Sequence, residues 1–157
     1  VIGDTGPAGG RIFYVNPDYE TDDWHYLEAA PANTEWTDIQ WSNIENASAG
    51  ATATAVGTGK ANTQTIVNIQ GSGSYAAQLC NDLTLGEYSD WFLPSKDELN
   101  LMYVNLQVSG LGGFASWYYW SSSEYNADLA WYQDFSSGHQ LDYGKNFNAY
   151  VRAARAF

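Results

Sequence analysis

The residue types that could do chemistry are concentrated in one stretch near the C-terminus. Residues 125–150 read YNADLAWYQDFSSGHQLDYGKNFNAY, which is dense in Asn, Asp, Tyr, Ser, Gln and His. Such side chains offer hydrogen bonds and flat aromatic faces at a low entropic cost, as they do in antibody paratopes. Apolar residues, including Ala130, Trp131 and Phe135, interleave with them. The alternation favours a binding face on a sheet, and the hydrated outer face of an antiparallel sheet is the alternative.

The predicted ligand contacts are the polar, aromatic and leucine positions between these scaffold residues. They are Asn126, Asp128, Leu129, Tyr132, Gln133, Ser136, His139, Leu141, Asp142, Tyr143, Asn146, Phe147 and Asn148. Gly138, Val151 and Phe157 are assigned to the scaffold, together with the apolar residues named above.

A second group of side chains could bind a hard cation. Asn16, Asp18, Glu20, Asp22 and Asp23 place oxygen atoms at near-alternate positions of one loop, and such oxygens are the ligands that calcium prefers. The EF-hand pattern is absent, because the loop has no Gly at its turn and no Glu at its end. Calcium is therefore the one metal considered, and a solvated acidic loop is the alternative. No other cofactor is expected.

Catalytic and nucleotide-binding motifs are missing. The segment AVGTGKAN (55–62) resembles a phosphate-binding loop, but Thr54 and Ala61 occupy the positions that require Gly and Ser or Thr. The chain has two His residues and no G-x-S-x-G motif, so no nucleophilic triad is indicated. The single cysteine, Cys80, lies in an apolar helical pattern and is expected to be a buried thiol. The sequence therefore predicts a protein that is not an enzyme.

Charge and length exclude several classes of partner. The chain has 157 residues and a net charge of −12, so nucleic acids and other polyanions should be repelled. Lys145, Arg152 and Arg155 could still form one local basic patch, and pairing of the arginines with acids at the edge of the core is the alternative. No segment approaches the roughly 18 apolar residues of a membrane span, so no membrane insertion is expected. The length predicts one domain over residues 1–157, with an N-terminal stretch GDTGPAGG that is too short for a collagen triple helix.

The order of the predicted elements indicates an α+β fold. Strands are predicted at residues 11–15 and 24–31, and several short strands after residue 115. Helices are predicted at about 59–69, with Ile66 and Ile69 on one face, at about 73–85, and after the capping box of Ser95 and Glu98. Helices in the middle and strands at both ends favour a mostly antiparallel sheet, in which the first strand could pair with the last.

Several long blocks of the chain resemble one known domain family. The blocks are IGDTGPAGGRIFYV, AAQLCNDLTLGEYSDWFLPSKDELNLMY, YWSSSEY, AWYQDFSSG and YVRAARAF. They are similar to the family of the C-terminal domain of the Legionella collagen-like protein. The resemblance implies a C-type-lectin-like fold with near-adjacent termini and a ligand face built from C-terminal strands and loops. It also implies a bacterial or phage-associated domain, extracellular or on the cell surface or virion, at the end of a longer chain.

The resemblance implies two further properties. The named member is an adhesin whose head trimerises and binds sulfated glycosaminoglycans, an activity that the charge of −12 disfavours here. Some similar domains are diversified by retroelements that randomise adenine-containing codons near the C-terminus. The variable positions would then be the contacts named above other than Tyr132 and Gln133.

Two functions remain open at this point. The first is a non-catalytic recognition or adhesion head that binds a protein or glycan through its C-terminal face. The second is a structural or assembly module, such as a trimerising tip of a bacterial surface or phage fibre protein, in which the aromatic surface would be buried between copies.

Overall fold

Eight strands form two sheets in the computed structural model, which describes residues 1–44 and 46–157. The strands are β1 (Arg11–Val15), β2 (Tyr26–Ala29), β3 (Trp36–Gln40), β4 (Tyr118–Glu124), β5 (Leu129–Asp134), β6 (Gln140–Gly144), β7 (Asn148–Val151) and β8 (Ala154–Ala156). One sheet has the order β1-β2-β8 and the other the order β3-β7-β4-β5-β6. Every pairing is antiparallel except that of β4 with β7.

The helices lie in the middle of the chain, as the sequence predicts. After a single turn, α1 (Tyr19–Asp22), they are α2 (Gly59–Gln70), α3 (Ala76–Asp82) and α4 (Lys96–Met102). A 3₁₀ turn covers Ala32–Thr34, and a π-helical turn, Tyr103–Gln107, extends α4. This arrangement confirms the α+β, C-type-lectin-like class. None of the helices in residues 1–44 and 46–157 is long and apolar enough to cross a membrane.

The capping box at the start of α4 is formed as predicted. The Ser95 hydroxyl accepts the amide of Glu98, and the Glu98 carboxylate accepts the amide of Ser95. That carboxylate also accepts the Gly57 amide at 2.8 Å, so it fastens the preceding loop to the helix. A Cβ on Gly59 would lie 2.2 Å from the same carboxylate, which explains the glycine at the start of α2. Burial raises the pKa of Glu98 despite these amide donors.

The five-stranded sheet separates two apolar clusters. Neighbouring residues on β4 point to opposite faces, so Trp120 packs in one cluster and Tyr119 in the other. The first cluster is covered by α2 and α3 and contains Trp41, Ile66 and the buried thiol Cys80. The second cluster is covered by α4 and the three-stranded sheet. Burial raises the pKa of the Cys80 thiol, as expected for an apolar position.

The glycine-rich start of the chain wraps around a buried carboxylate. Glu28 on β2 accepts the amide of Gly10 at 2.7 Å and that of Ala8 at 3.3 Å. A Cβ on Gly6 would lie 2.3 Å from the Glu28 carboxyl carbon, and one on Gly10 would lie 1.9 Å from a backbone oxygen. These glycines are therefore required by close approach. The stretch forms the start of the globular fold.

Three details differ from the sequence-based predictions. The first strand does not pair with the last, because β2 lies between β1 and β8. Ile66 is buried, but Ile69 is 58% exposed, since it lies roughly 60° round the helix and in its final turn. A third strand, β3, forms where the irregular Trp36 and Trp41 spacing predicted none.

The acidic loop does not assemble a calcium site. Its residues from Tyr19 to Asp22 form α1, in which successive side chains point about 100° apart, so alternate carboxylates diverge. Asn16 is buried and donates to Asp22 Oδ2 at 3.1 Å and to the Trp24 carbonyl. Glu20 and Asp23 join no such cluster. In residues 1–44 and 46–157, no group of three or more His, Cys, Asp or Glu side chains is placed to hold a metal ion.

Candidate functional site

A row of aromatic rings crosses the Trp120 face of the five-stranded sheet and is exposed at both ends. The aromatic row consists of Trp117, Tyr118, Tyr132, Tyr143 and Phe147. Successive ring centroids are 5.4, 4.9, 5.3 and 4.3 Å apart in that order. Trp117 is 53% exposed, Tyr143 41% and Phe147 52%, whereas Tyr132 at the centre is 8% exposed. The row therefore has solvent-accessible ends and a buried middle.

Strand register places three of these rings side by side. Tyr132 on β5 pairs with Trp120 on β4, so both side chains point to the same face, and Tyr118 lies two residues from Trp120. On the other side Tyr132 pairs with Leu141 of β6, and Tyr143 follows two residues later. The diagonal neighbours in a sheet are within reach of aromatic side chains. Period-2 spacing on three strands therefore assembles the row.

A short crossing segment supplies the last ring. Strands β6 and β7 are consecutive in the chain, yet β4 and β5 lie between them in the sheet. Residues 145–147 make this passage, and Phe147 N–H donates to the Gly144 carbonyl at 2.9 Å. The Phe147 ring meets Tyr143 at an interplanar angle of 77°. A Cβ on Gly144 would lie 3.1 Å from the Phe147 ring, so glycine permits this tight approach.

A buried ion pair anchors the crossing segment. Lys145 Nζ lies 3.2 Å from Glu124 Oε2 and also donates to the carbonyls of Ala127 and Ala47. Burial lowers the pKa of Lys145, although Glu124 opposes this effect. Burial acts to raise the pKa of Glu124, but donors from Ser48, Ala49 and Lys145 hold it below its usual range. The ion pair and the hydrogen bonds of Lys145 therefore fix the segment at its first residue.

The aromatic row borders a cleft with a volume of about 300 Å³. Trp120, Asn148 and Ala149 complete its lining. The indole N–H of Trp120 is bonded to the Ile39 carbonyl at 2.9 Å, so this ring presents no free donor. Asn148 is exposed and supplies an amide that can donate and accept at the rim. An apolar, aromatic hollow with a few polar groups at its edge is a typical small-group binding site.

The loop after β5 is held by an ionised carboxylate beside the row. Asp134 pairs with Tyr118 across β4 and β5. It accepts bonds from the amide and hydroxyl of Ser136 and from the hydroxyl of Ser137. Partial burial acts to raise the pKa of Asp134, but these donors lower it below its usual range. Burial raises the pKa of Tyr132, and the nearby charges of Asp134 and Asp142 act in the same direction.

A second groove, polar in character, lies on the other side of the crossing segment. Its volume is about 380 Å³. It is lined by residues from β3 and the following loop, from the β4–β5 turn and from the crossing segment: Gln40, Ser42, Asn43, Ile44, Asn46, Ala127, Asp128, Leu129, Gly144, Lys145 and Asn146. Its amide and hydroxyl groups could hydrogen-bond a polar ligand. The Lys145 ammonium is already occupied by three acceptors, so the groove offers no free cation there.

The structure divides the predicted contacts between these surfaces. The cleft is lined by Tyr132, Tyr143, Phe147 and Asn148, and the polar groove by Asp128, Leu129 and Asn146. Leu141 is exposed on the face of the row. Ser136 and His139 lie in the β5–β6 loop, Asn126 in the β4–β5 turn and Asp142 on the opposite face of β6, outside both hollows.

One predicted contact is placed inside the protein. Gln133 is fully buried, and its amide donates to Asn100 Oδ1 at 2.9 Å and to the Gly138 carbonyl at 3.0 Å. Its position one residue from Tyr132 turns it to the opposite face of the sheet, against α4. We therefore exclude Gln133 from the candidate surface. Sequence composition alone could not make this distinction, because it does not say which face is covered.

Three aromatic residues of the cleft were not predicted, nor was Ala149. Trp117, Tyr118 and Trp120 precede the C-terminal stretch and come from the segment SWYYWSSSEY. Their signal is the alternation of Tyr118 and Trp120 with period 2, which places both side chains on one face of a strand. Mixed polar composition, which predicts the other contacts, begins only after this segment.

The three bases that could have formed a basic patch are paired with acids instead. Lys145, Arg152 and Arg155 are all buried in ion pairs. Arg152 pairs with Glu35 and donates to the Gly112 carbonyl at 2.8 Å. Arg155 makes two bonds to the Asp90 carboxylate. Both C-terminal arginines are thus paired in the interior, where an unpaired charge would be costly.

Comparison with known proteins identifies the family. A search of curated proteins finds no match. A family model described as the Lcl C-terminal domain matches residues 32–155. The family is named after the C-terminal domain of a collagen-like surface protein of Legionella. The matched residues include the lining of both hollows and every residue of the aromatic row. The chain belongs to the family of the Lcl C-terminal domain.

Proposed function

We propose that this domain is a non-catalytic recognition head that binds a protein or glycan ligand through the aromatic row. The observation that carries the proposal is the exposure of Trp117, Tyr143 and Phe147 on one face, bordering a cleft of about 300 Å³. Large aromatic side chains exposed together are unusual on a protein without a partner. They are also the residues that contribute most to binding at interfaces. A surface or adhesion-type module is the function that the family fits.

The rigidity of the site supports the same proposal. Tyr132 is buried at the centre of the row, and the Lys145–Glu124 pair fixes the segment that carries Phe147. Rings that are already held in place lose little conformational entropy when a ligand binds. The ligand would gain stacking contacts with the rings and hydrogen bonds to Asn148 at the rim.

We place this head on the outside of a bacterium or on a virion. The family is that of a surface protein domain. A single cleft of this size would bind weakly, so display in several copies would raise the overall affinity without any new contact.

The exposed positions of residues 126–149 are also proposed to tolerate diversification. Most of the predicted variable positions are exposed, and Leu129 and Asp142 are half-buried. The intervening scaffold residues Ala130 and Phe135 are buried. Substitution would therefore change the ligand surface with little effect on the core. A template repeat near the gene, differing at adenine positions of these codons, would support the idea, and its absence would overturn it.

The alternative function is an assembly module in which the aromatic row is covered by another copy of the chain. Multi-angle light scattering of the purified domain tests this alternative. A concentration-independent trimer that dissociates in a Trp117→Ala variant would favour assembly. A monomer would favour recognition of a different partner.

Binding itself is tested with three variants that remove exposed rings: Trp117→Ala, Tyr143→Ala and Phe147→Ala. Val108→Ala is the matched control, because Val108 is 66% exposed and belongs to no hollow. The tetramerised domain is screened on an array of glycans and surface proteins. The three variants should lose binding with little change in melting temperature, and the control should retain it. Equal binding by all four variants would overturn the proposal.

A further inference from the structure

The surroundings of the aromatic row lack positive charge. No basic side chain among the described residues lines its cleft. Three of the six bases of the chain are buried in the ion pairs described above. Of the others, Arg11 lies in the three-stranded sheet and Lys60 on α2. Lys96 Nζ sits 3.7 Å from the centroid of Trp131, on the face of β5 opposite Tyr132.

Negative charge, in contrast, lies beside the row. Asp134 points to the same face as Tyr118, and its pKa is lowered by the serine donors of its loop, so it is ionised at neutral pH. Asp142 is adjacent to Tyr143 in β6, with its side chain on the opposite face of the sheet. After burial, neighbouring tyrosines and both carboxylates contribute to the raised pKa of Tyr132. The whole chain carries −12.

The rings at the two ends of the row meet edge to face. Trp117 and Tyr118 meet at 63°, and Tyr143 and Phe147 meet at 77°. In such a contact the edge of one ring packs against the face of its neighbour, and the faces of aromatic rings carry partial negative charge. Trp117, Tyr143 and Phe147 remain exposed, and accessible faces of such rings bind ammonium and guanidinium groups.

We propose that the aromatic row recognises a lysine or arginine side chain presented by a partner protein. The proposal rests on the proposed function, because it names the chemistry of the ligand for the same face. The cation would lie against an exposed ring of the row, with Asp134 supplying long-range attraction. A sulfated or otherwise anionic glycan would be repelled by this surface, and a neutral glycan would gain nothing from its charge.

The test uses the domain as a streptavidin-linked tetramer on an array of synthetic Gly-Ser peptides. One set contains lysine or arginine, and the matched set contains norleucine or citrulline, which are neutral and similar in shape. Heparin fragments and neutral oligosaccharides are printed on the same array. We expect the charged peptides to bind at least about fivefold more strongly than the neutral ones, and the binding to weaken as salt rises from 50 to 500 mM.

The variants assign this binding to the row. Trp117→Ala should weaken binding by about two- to fivefold, the effect of one exposed cation–π contact. Asp134→Asn keeps an oxygen for the Ser136 donors and removes the charge, so it should weaken binding at low salt. Glu20→Gln is its control, since Glu20 is an exposed acid in α1, next to the other sheet.

The outcomes separate the two proposals. Row-dependent binding that is equal for charged and neutral peptides overturns the cation proposal and leaves the recognition function standing. Binding to heparin or to neutral glycans alone, if it requires the aromatic row, also overturns the cation proposal and leaves the recognition function standing. Failure of every probe to bind in a Trp117-dependent manner overturns both proposals.

Discussion

Replacing Lys145 with Met tests whether the crossing segment depends on its buried ion pair. The side chains of Lys145 and Glu124 are 5% and 1% exposed, and their charged atoms are 3.2 Å apart. Methionine keeps most of the length and volume of the lysine stem but removes the ammonium. Glu124 would then be a buried carboxylate that retains only the donors from Ser48 and Ala49.

The expected loss of unfolding free energy is about 3–5 kcal/mol, because removing one partner leaves the other charge buried without compensation. That is a large share of the roughly 5–15 kcal/mol of a typical domain. For a chain of this size it lowers the melting temperature by roughly 6–20 °C. The double variant with Glu124→Gln should recover part of the loss, since no uncompensated charge remains. Lys60→Met, at an exposed site, should change stability by no more than about 0.5 kcal/mol.

The pH dependence gives a second, independent measure. In the natural protein the pKa of folded Glu124 is lowered, so its contribution is present above the unfolded pKa of about 4.3 and is lost as pH falls through the folded value. In Lys145→Met the same carboxyl is buried without its cation, which raises its folded pKa. The variant therefore gains relative stability on acidification.

Urea unfolding of both proteins at pH 7 and pH 5, with equal m-values, measures the difference. The gap between them should be smaller at pH 5. A gap under about 1 kcal/mol at pH 7, or one that does not change with pH, would refute the reasoning. Phe147 depends on the same segment, so the variant should also lose ligand binding.

Three further predictions concern the scaffold. Gly10→Ala should destabilise the domain by about 1–3 kcal/mol or more, because its Cβ would lie 1.9 Å from the Ala29 carbonyl oxygen; thermal unfolding measures this, and an unchanged melting temperature contradicts it. Ser95→Ala removes the acceptor for the Glu98 amide and should cost about 0.5–2 kcal/mol in urea unfolding, whereas a neutral result would mean that the cap is not used. Cys80 is buried with a raised pKa, so a thiol reagent should modify it only at the rate of unfolding; rapid labelling of the native protein would show that the site opens locally.

Features that depend on neighbouring residues could be predicted from the sequence. The capping box of Ser95 and Glu98 needs only their spacing, and the structure confirms it. The strand at 11–15 and the helix starting near residue 59 follow from local composition and periodicity. The buried thiol of Cys80 follows from the apolar pattern around it. In each case the interactions that determine the local structure are made by residues close together in the sequence.

Features that depend on distant residues could not be predicted in this way. Arg152 pairs with Glu35 far back in the chain, and nothing near either residue indicates the pairing. The same is true of Lys145, whose neighbours in sequence suggest an exposed loop. Gln133 and Tyr132 are adjacent, and both carry polar groups that could bind a ligand. Only Tyr132 faces the cleft. The packing of α4 against the sheet decides that Gln133 is covered. The sequence of β5 alone does not predict this packing.

The candidate site shows the same division. Tyr143 and Phe147 were predicted as contacts from composition, and the structure places both at the cleft. Trp117 and Tyr118 were not, because the row forms only when β4, β5 and β6 are in register. Composition therefore located the C-terminal half of the site, and strand pairing supplied the remainder.

The Glu28 carboxylate has a mechanical consequence. It binds the amides of the N-terminal glycine loop and lies 3.5 Å from Arg155 in the last strand, so it clasps both ends of the described fold. Tension applied at Val1 would load this clasp and the β1–β2 hydrogen bonds first. The aromatic row lies in the other sheet and would keep its geometry until the clasp yields. A tether attached at Val1 could thus bear force while the aromatic row keeps its structure.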